Sequence, residues 1–255
     1  MKRLDQKVAI ITGAAGGIGA AAARRFVAEG ARVMLVDRDG DGLAALSHEL
    51  GPAASDFIMA DVSDESATAS FVAFAVQRFG GLDIYFSNAG MEGKIAPLTE
   101  VSVADLDRIF AVNVRSVVLG LKHAVPLMIA RGGGSFIATS SVAGLIGSPG
   151  LGPYVATKHA VLGLVKTAAL ELGPRGIRVN AISPGPIDNR MMRSIENQAA
   201  PDNAEAVKDG FTKLVALGRY GSNEEIAAAA AFLASSDSSY CSGTTIVCDG
   251  GFVAT

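Results

Sequence analysis

The chain has 255 residues, of which 49% are hydrophobic, and a formal net charge of −3 at pH 7. This length and composition predict a folded protein with a large apolar core, and the weak negative charge without a Lys/Arg-rich block argues against nucleic acid as a partner. The two cysteines are not spaced as Cys-x-x-Cys and the three histidines are scattered, so the sequence predicts no metal site.

The sequence predicts neither a targeting signal nor a membrane span. Its first residues lead straight into an apolar strand, without the pattern of a signal peptide. The longest strongly apolar stretch, residues 226–234, is shorter than the roughly 20 residues needed to cross a bilayer. We therefore expect a cytoplasmic protein with no membrane partner and with free thiols at Cys241 and Cys248.

Short apolar runs alternate along the chain with longer helical patterns. The predicted strands are residues 7–12, 31–37, 56–60, 83–86, 134–139, 177–182 and 244–248. The predicted helices are residues 18–29, 42–50, 64–79, 103–131, 154–172 and 223–233. Strands that are apolar throughout are typical of a parallel sheet covered on both faces. The alternation predicts an α/β fold: a single Rossmann-type domain over residues 1–255, with a doubly wound parallel sheet and helices on both faces.

Residues 188–215 interrupt this alternation. They carry Asn, Asp, Met, Arg and Lys without a clean period, so we predict a long irregular insertion after a strand. Loops of this length are often functional, and we interpret the segment as a lid over a site. A plain surface excursion is the alternative.

A glycine-rich turn joins the first predicted strand to the first predicted helix. It spans residues 13–19 and reads Gly-Ala-Ala-Gly-Gly-Ile-Gly, which differs from the general Gly-x-Gly-x-x-Gly fingerprint. Glycines let a backbone approach a phosphate closely, and the start of the next helix offers N–H groups and positive potential. We interpret the turn as a dinucleotide-binding site with Gly13, Gly17, Ile18 and Gly19 as contacts. Tight packing alone is the alternative.

Asp37 ends the second predicted strand, 18 residues beyond Gly19. A carboxylate at this point accepts hydrogen bonds from the ribose hydroxyls of a dinucleotide and repels a 2′-phosphate, so NAD is favoured over NADP. Arg38 opposes this preference, since a guanidinium pairs well with a phosphate. The glycine turn has Ala14 and Ala15 in place of a basic residue, which again favours NAD.

Ser141, Tyr154 and Lys158 form the predicted catalytic group. Tyr154 and Lys158 are four residues apart near the start of a helix that Pro153 can begin, so they share one face. The charge of Lys158 and the helix dipole both stabilise a phenolate, so we expect a lowered pKa for Tyr154 and a role as general acid and base. The Ser141 hydroxyl is expected to face the Tyr154 hydroxyl. A surface Tyr/Lys pair is the alternative.

These motifs together resemble the short-chain dehydrogenase/reductase family over essentially the whole chain. Other matching stretches are Asp61-Val62, Ser87-Asn88-Ala89-Gly90, Asn113 and Ser183-Pro184-Gly185. The resemblance implies that Ser141 orients the substrate, Tyr154 transfers the proton, and Lys158 holds the nicotinamide ribose and lowers the pKa of Tyr154. It also implies that Asn113 supports a proton-relay water near Lys158. An Asn that makes a local backbone bond inside a helix is the alternative.

The same resemblance implies that NAD lies along the carboxyl ends of the strands, where doubly wound sheets bind ligands. The implied cofactor-binding residues are Gly13, Gly17, Ile18, Gly19, Asp37, Asp61, Val62, Asn88, Ala89, Gly90, Tyr154, Lys158, Pro184, Gly185, Ile187 and Asn189. Two positions depart from the family pattern. Ser87 replaces the first residue of Asn-Asn-Ala-Gly, and Asn189 stands where a Thr commonly bonds the nicotinamide amide.

The predicted substrate pocket is mostly apolar. Its walls are Met91, Val142, Ala143, Leu145, Pro149, Leu151, Met191, Met192 and Ile195, while Glu92, Lys94, Arg190 and Arg193 are interpreted as solvated surface. A compact, uncharged secondary alcohol or ketone is therefore expected as the small-molecule substrate. Residues 184–195 are similar to members that act on cyclic ketones. The expected reaction is hydride transfer between nicotinamide and such a substrate.

Two alternatives remain at the level of sequence. One is a 3-oxoacyl-[acyl-carrier-protein] reductase, for which Arg131 and Arg175 stand near carrier-binding positions, although Asp37 opposes the NADPH that such enzymes usually prefer. The other is a non-catalytic regulatory protein that binds a dinucleotide, although no member of the Ser/Tyr/Lys set is missing. Enoyl reductases are set aside because they place six residues, not three, between Tyr and Lys.

A homotetramer is the predicted assembly, since the family is typically tetrameric. The helix predicted at residues 154–172 carries apolar residues on more than one face, among them Val155, Leu164 and Leu170. Residues 249–255 are also apolar for a chain end.

Overall fold

The computed structural model describes residues 2–254 and confirms the predicted α/β fold. Its strands are β1 Val8–Thr12, β2 Arg32–Asp37, β3 Ser55–Met59, β4 Ile84–Ser87, β5 Gly134–Thr139, β6 Ile177–Pro184 and β7 Thr245–Cys248. Over this range they form one parallel sheet in the order β3-β2-β1-β4-β5-β6-β7. The order reverses between β1 and β4, which is the signature of a doubly wound sheet.

Helices cover both faces of the sheet. They are α1 Gly17–Ala28, α2 Gly40–Leu50, α3 Glu65–Phe79, α4 Val103–Phe110, α5 Ser116–Ala130, α6 Gly152–Leu172, α7 Arg190–Ala199, α8 Ala204–Leu214 and α9 Asn223–Ala234. The apolar sides of α1, α2 and α9 bury one face of the sheet. Those of α3, α5 and α6 bury the other. The two cores hold the carboxyl ends of the strands in fixed positions.

Burial differs between central and edge strands. Every residue of β1 and β4 is buried, as their apolar sequences predicted. In the edge strand β3, however, Phe57 is 37% and Met59 is 68% exposed. The expectation of burial on both faces was wrong here because an outermost strand extends beyond the helices that cover its neighbours.

The segment 188–215 is not the irregular insertion that we predicted. It folds into α7 and α8, which are joined by a short turn at residues 200–203. Asn189 caps the start of α7, and Ile195 and Glu196 lie buried on that helix. The periodicity was missed because α7 is short and its buried side includes a charged residue, which a search for apolar repeats does not count.

The long helical pattern at residues 103–131 becomes α4, a π-helical turn at Ala111–Arg115, and α5. Among the described residues, this combined helix is the one that is long and apolar enough to cross a membrane, by length and composition alone. We predicted this helix but not that it is long and apolar enough to span a membrane, because charged residues interrupt its apolar run. A core helix passes the same test, and Val117, Ala124, Val125 and Met128 of α5 are buried in the core.

Candidate active site

Glycine and polar residues that follow the strands meet at one edge of the sheet. Gly13 comes after β1, Asn88 after β4, Ser141 after β5 and Gly185 after β6, while Asp37 ends β2. Because the strands are parallel, these residues share the carboxyl edge. A crevice opens there where the strand order reverses, between β1 and β4, and such crevices bind ligands.

The turn between β1 and α1 has the shape that a phosphate group requires. Gly13 has a φ of +66°, and a Cβ at this position would lie 2.9 Å from Cα of Ala89. A Cβ on Gly19 would collide with the carbonyl oxygen of Gly13. Within the described chain, no side chain caps α1 and no acidic residue lies in its first turn. The N–H groups of Gly17, Ile18 and Gly19 at this helix start could therefore hold an anionic group such as the diphosphate of a dinucleotide.

Asp37 is held by backbone N–H groups. Its Oδ2 accepts a hydrogen bond from Ala15 N at 3.1 Å, and its Oδ1 accepts from the nitrogens of Arg38 at 2.7 Å and Asp39 at 3.2 Å. The carboxylate thereby joins the glycine turn to the end of β2. The guanidinium of Arg38 points instead toward Asp61, whose carboxylate lies 4.0 Å away. A fixed negative charge thus lies where the ribose is predicted to bind.

Asp61 and Val62 shape the loop after β3. The hydroxyl and the backbone N–H of Ser63 donate to Asp61 at 2.7 Å and 2.9 Å, and these bonds lower the pKa of that carboxyl group. Val62 is buried and packs into the core beside the sheet. The structure therefore gives both residues a role in the fold of the predicted adenine side.

Asn88 ties three strand ends together. Its Nδ2 donates to Thr12 O at 3.1 Å, and its Oδ1 accepts from the Thr139 hydroxyl at 3.1 Å. The Thr12 hydroxyl in turn accepts from the backbone N–H groups of Asn88 and Ala89. Asn88 and Ala89 thus lie directly beside the glycine turn, and Gly90 follows next to Asn113 and Lys158.

A close backbone contact at Gly144 brings Ser141 next to α6. A Cβ on Gly144 would lie 2.5 Å from Ser140 Oγ and 2.8 Å from Lys158 O, so only glycine allows this approach. Ser140 Oγ donates to Lys158 O at 3.0 Å. Ser141 is buried, and its Oγ accepts from Ala143 N at 3.1 Å. These contacts fix the serine and the helix relative to each other.

Tyr154 and Lys158 lie on the same buried face of α6. Their exposed fractions are 8% and 4%, and Lys158 Nζ lies 5.5 Å from the centre of the Tyr154 ring. Lys158 Nζ also donates to Thr139 O at 2.8 Å, which ties the ammonium group to the end of β5. Tyr154 packs in a small apolar cluster with Ala143 and Leu151. The arrangement is a buried phenol with a buried cation beside it.

The direction that we expected for the pKa of Tyr154 was wrong. Burial raises the pKa of this phenol to about 12, the Ser141 hydroxyl lowers it, and the negative charge of Glu92 raises it further. Burial also lowers the pKa of Lys158 to about 8. In the protein alone, loss of hydration is therefore the dominant effect on the pKa of Tyr154. Tyr154 carries its proton at neutral pH.

Asn113 lies at the centre of the π-helical turn and is 2% exposed. Its Oδ1 accepts from Met91 N and its Nδ2 donates to Met91 O, both at 2.9 Å. Nδ2 also donates to Thr157 Oγ1 at 3.1 Å. A Cβ on Gly90 would lie 3.4 Å from Asn113 Oδ1 and 3.6 Å from Lys158 Nζ. Asn113 thus bonds across to another loop and to α6 beside Lys158, not within its own helix.

The segment after β6 has little free space. The backbone N–H of Gly185 donates to Cys248 O at 3.0 Å, and a Cβ on Gly185 would lie 2.8 Å from Cα of Asp249. Pro184 is buried at the end of β6. Ile187 is 4% exposed and packs into the core with α9. The Ile187 side chain, which we predicted as a cofactor contact, is therefore turned into the core.

Asn189, which we predicted as a nicotinamide contact, caps α7. Its Oδ1 accepts from the nitrogens of Met191 at 3.0 Å and Met192 at 3.3 Å. Its Nδ2 lies 3.4 Å from Asn223 Oδ1. The carbonyl oxygen of the side chain is therefore engaged by the helix and one N–H of the amide by Asn223, which leaves the second N–H for a ligand.

The predicted pocket residues differ in burial. Val142, Ala143, Leu151 and Ile195 are buried, Met91, Met191 and Met192 are half-buried, and Leu145 and Pro149 are exposed. Met91 packs against the cluster around Tyr154, together with Ile95, Ile109 and Phe110, which we did not predict. The space next to the Tyr154 phenol is thus bordered by apolar side chains from the loop after β4, from α4 and from the turn after β5.

Several residues that build the site were missed from the sequence. Ser140, Gly144 and Thr157 hold the catalytic group through contacts between elements, and Gln198 bonds α7 to the loop after β4. Ser140 and Thr157 adjoin predicted residues in the chain, which was the one available signal. Nothing in the spacing of Gln198 points to a partner about a hundred residues away.

Known proteins match the chain over nearly its full length. A family model described as enoyl-(acyl carrier protein) reductase matches residues 13–253. Levodione reductase of Leifsonia aquatica is 39% identical, covering 98% of this chain and 95% of the relative. Short-chain dehydrogenase reductase 3a of Arabidopsis thaliana is also 39% identical, with coverage of 98% and 96%. The chain belongs to the short-chain dehydrogenase/reductase family.

Two further comparisons agree with this assignment. Cyclohexanol dehydrogenase of Acinetobacter sp. (strain SE19) is 36% identical, with 98% of this chain and 96% of the relative covered. The crystal structure of levodione reductase superimposes with a TM-score of 0.96 at 39% identity, covering 99% of this chain and 100% of that one. Short-chain dehydrogenase/reductases are oxidoreductases that typically use a nicotinamide cofactor. The chain is accordingly an oxidoreductase with a small-molecule alcohol or ketone substrate.

Proposed function

We propose that the protein is an NAD(H)-dependent oxidoreductase that interconverts a compact, uncharged, cyclic secondary alcohol and its ketone. The observation that carries the proposal is the buried Tyr154–Lys158 pair beside Ser141, at the carboxyl edge of the sheet and next to an uncapped glycine turn. The proposed proton-transfer group and the proposed dinucleotide site therefore lie at the same edge of the sheet.

In the proposed mechanism the chain positions the substrate and moves one proton. Ser141 binds the substrate oxygen, and Tyr154 donates a proton to it in ketone reduction or accepts one in alcohol oxidation. Lys158 binds the nicotinamide ribose and places a positive charge beside the phenol, while Asn113 supports the adjoining backbone at Met91. When bound, the nicotinamide supplies or accepts the hydride.

The preference for NAD rests on Asp37. Its carboxylate is fixed by Ala15, Arg38 and Asp39 and faces the predicted ribose position, where it favours free hydroxyls and repels a 2′-phosphate. The Arg38 guanidinium points toward Asp61 and so adds little attraction for such a phosphate. These observations support NAD over NADP.

The substrate class rests on the apolar border of the site and on the relatives. Met91, Ala143 and Leu151 contribute apolar surface around Tyr154. The names of two relatives, levodione reductase and cyclohexanol dehydrogenase, indicate substrates of that kind for those proteins. A cyclic alcohol or ketone without charge suits the same apolar surroundings in this chain.

The initial rate of NAD reduction, measured with cyclohexanol and a panel of cyclic and linear secondary alcohols, tests the proposal. We expect turnover with NAD well above that with NADP, and a loss of at least about 10²–10⁴-fold in Tyr154→Phe. Tyr240→Phe is the matched control because Tyr240 is fully exposed. Binding of NADH without turnover of any alcohol or ketone would favour the non-catalytic alternative.

The acyl-carrier alternatives find less support. Arg131 is occupied locally, since it donates to Gly80 O at 3.1 Å and lies 3.6 Å from the carboxylate of Asp83. The description of the matching family model names an enoyl reductase, but three residues, not six, separate Tyr154 from Lys158. Turnover of 3-oxoacyl thioesters with NADPH, in the absence of any alcohol activity, would reverse this ranking.

A further inference from the structure

Helix α7 is attached to the rest of the protein on two opposite sides. With 3.6 residues per turn, Met191, Ser194, Ile195 and Gln198 lie on one side of the helix, and Met192, Arg193 and Glu196 lie on the other. The two sets make contacts of different kinds. The first side bonds to the loop that borders the site, and the second side bonds to Tyr220.

On the first side, Gln198 bonds to the loop at residues 91–97. Its Oε1 accepts from Ile95 N at 3.1 Å, and its Nε2 donates to Gly93 O at 3.3 Å and lies 3.2 Å from Ser194 Oγ. The same loop borders the catalytic group, because Met91 is clamped by Asn113. The carboxamide of Gln198 thus bridges α7 and the rim of the candidate active site.

On the second side, the buried Glu196 bonds to Tyr220 outside the helix and to the partly exposed Arg193 within it. Glu196 is 2% exposed, its Oε1 accepts from the Tyr220 hydroxyl at 2.9 Å, and its Oε2 lies 2.8 Å from Arg193 Nη1. The Arg193 guanidinium lies 5.6 Å from the centre of the Tyr220 ring and also binds Asp188 at 3.0 Å. The next residue after Tyr220, Gly221, exchanges backbone bonds with the segment that begins α7.

The two attachments have unequal strengths. The bond that joins Glu196 to Tyr220 is charged, buried and 2.9 Å long, whereas the bonds of Gln198 to the loop are neutral, exposed and longer. Charged hydrogen bonds in a dry environment are the stronger kind, and exposed neutral bonds exchange readily with water. The side of α7 that faces the site is therefore the side that separates first.

We propose that Gln198 is a positioning residue that holds α7 against the loop 91–97 and so closes the site over the substrate, while the Arg193–Glu196–Tyr220 group keeps the far side of the helix fixed. The inference rests on the proposed function for the identity of what is enclosed. It predicts that Gln198 acts on substrate retention and not on proton transfer.

Gln198→Leu tests the inference, because leucine fills a similar volume but has no polar atom to bond to Gly93 and Ile95. With cyclohexanol we expect KM to rise roughly tenfold, since two exposed hydrogen bonds are lost, with kcat unchanged or raised and the Kd for NADH unchanged. Asn197→Leu is the matched control: the neighbouring amide is exposed and lies about 100° from Gln198 around α7, turned away from the loop 91–97. An equal KM in Gln198→Leu and Asn197→Leu would overturn the role in substrate retention.

A second measurement does not depend on turnover. Hydrogen exchange should become faster at residues 91–97 and at α7 in Gln198→Leu, but not in Asn197→Leu. Unchanged exchange in Gln198→Leu would show that Gln198 does not hold α7 against residues 91–97. Faster exchange in a protein that turns over no alcohol or ketone would mean that the attachment exists and that the proposed function has failed.

Discussion

At the scale of single residues, three effects set the pKa of Tyr154, and they do not all act in the same direction. Burial raises its pKa most, the Ser141 hydroxyl lowers it, and the Glu92 carboxylate raises it. A phenol that keeps its proton at neutral pH is ready to donate to a ketone. For alcohol oxidation it has to lose that proton first, so oxidation should accelerate with rising pH and reduction should not.

The contribution of Glu92 gives a prediction for this pH dependence. Glu92→Gln removes a negative charge near the phenol, which lowers the pKa of Tyr154. The rising limb of kcat/KM against pH for alcohol oxidation should therefore move to lower pH. Glu100→Gln, at an exposed position on the same connection between β4 and α4, serves as the control. If kcat/KM rises over the same pH range in Glu92→Gln and in the wild type, the charge of Glu92 does not affect the pKa of Tyr154.

A second prediction concerns the choice of cofactor. Asp37→Ser removes the negative charge at the predicted ribose site, so kcat/KM should fall with NAD and rise with NADP, changing their ratio by at least about tenfold. Steady-state kinetics with both cofactors measure the ratio. Asp41→Ser is the control, since Asp41 is an exposed carboxylate at the start of α2. The same ratio in the wild type and Asp37→Ser would contradict our interpretation of Asp37.

The residues of the candidate site were predictable where a spacing carries the information. Tyr154 and Lys158 share a face because they are four residues apart in a helix, which the sequence states directly. The pKa of Tyr154 was not predictable in this way, because its direction depends on how much water the fold removes. The cap that Asn189 provides for α7 was also hidden, since the helix itself was not recognised.

At the scale of secondary-structure elements, the N-terminus of α9 is stabilised by a capping box. Ser222 accepts from Glu225 N, the Glu225 carboxylate accepts from Ser222 N, and Arg219 binds that carboxylate with two hydrogen bonds. The contact with Arg219 is the largest cause that lowers the pKa of Glu225 to about 2. Because α9 packs on α1 in the core that covers one face of the sheet, loss of this cap should lower the stability of the whole fold.

We predict that Ser222→Ala lowers the free energy of unfolding by about 1 kcal/mol, the usual contribution of a helix cap. Denaturant unfolding measures the change. Ser70→Ala is the control, because Ser70 is an exposed hydroxyl that bonds within α3 and should change stability by less than about 0.5 kcal/mol. A loss in Ser222→Ala no larger than in Ser70→Ala would contradict the importance of the cap.

The same carboxylate gives a pH dependence of stability. The pKa of Glu225 is about 2 in the folded protein and near its ordinary value of 4.5 when unfolded. Its contribution is therefore fully present above about pH 4.5 and is lost as the pH falls toward 2. In Glu225→Gln, this part of the acid sensitivity of unfolding should disappear. An identical pH profile in wild type and variant would contradict the ion pair with Arg219.

The elements differ in how well the sequence predicted them. The apolar runs located the seven strands of the described chain, with ends that differ by one or two residues because the first and last residues of a strand are often polar. The helix at residues 103–131 was predicted, but its π-helical turn was not, since that turn coincides with the bonds that Asn113 makes outside the helix. The helices α7 and α8 were missed because few of their residues are both apolar and buried.

At the scale of the whole molecule, apolar side chains remain on the surface of the single chain. Leu170 of α6 is 82% exposed and Val118 of α5 is 42% exposed. Both helices also bury residues against the sheet, so they present a second apolar side outward. We propose that copies of this chain cover these surfaces in a homotetramer.

Sedimentation at micromolar concentration should give a species of four times the 26.0 kDa chain mass. Leu170→Lys places a charge on the proposed contact and should shift the protein toward smaller species. Met59→Lys, which places the same charge on the exposed edge strand β3 away from α5 and α6, is the control. A monomer peak for the wild-type protein would reject the tetramer.

The packing of α9 on α1 has a consequence for how the protein is made. The apolar side of α1, with Ala22, Ala23 and Phe26, is covered by Ile226, Ala230 and their neighbours, about 200 residues later in the chain. A nascent chain on the ribosome can form the first four strands long before it has the helix that covers α1. Chains that end before α9 would leave the apolar side of α1 uncovered, and exposed apolar surface of this kind makes an incomplete chain prone to aggregation.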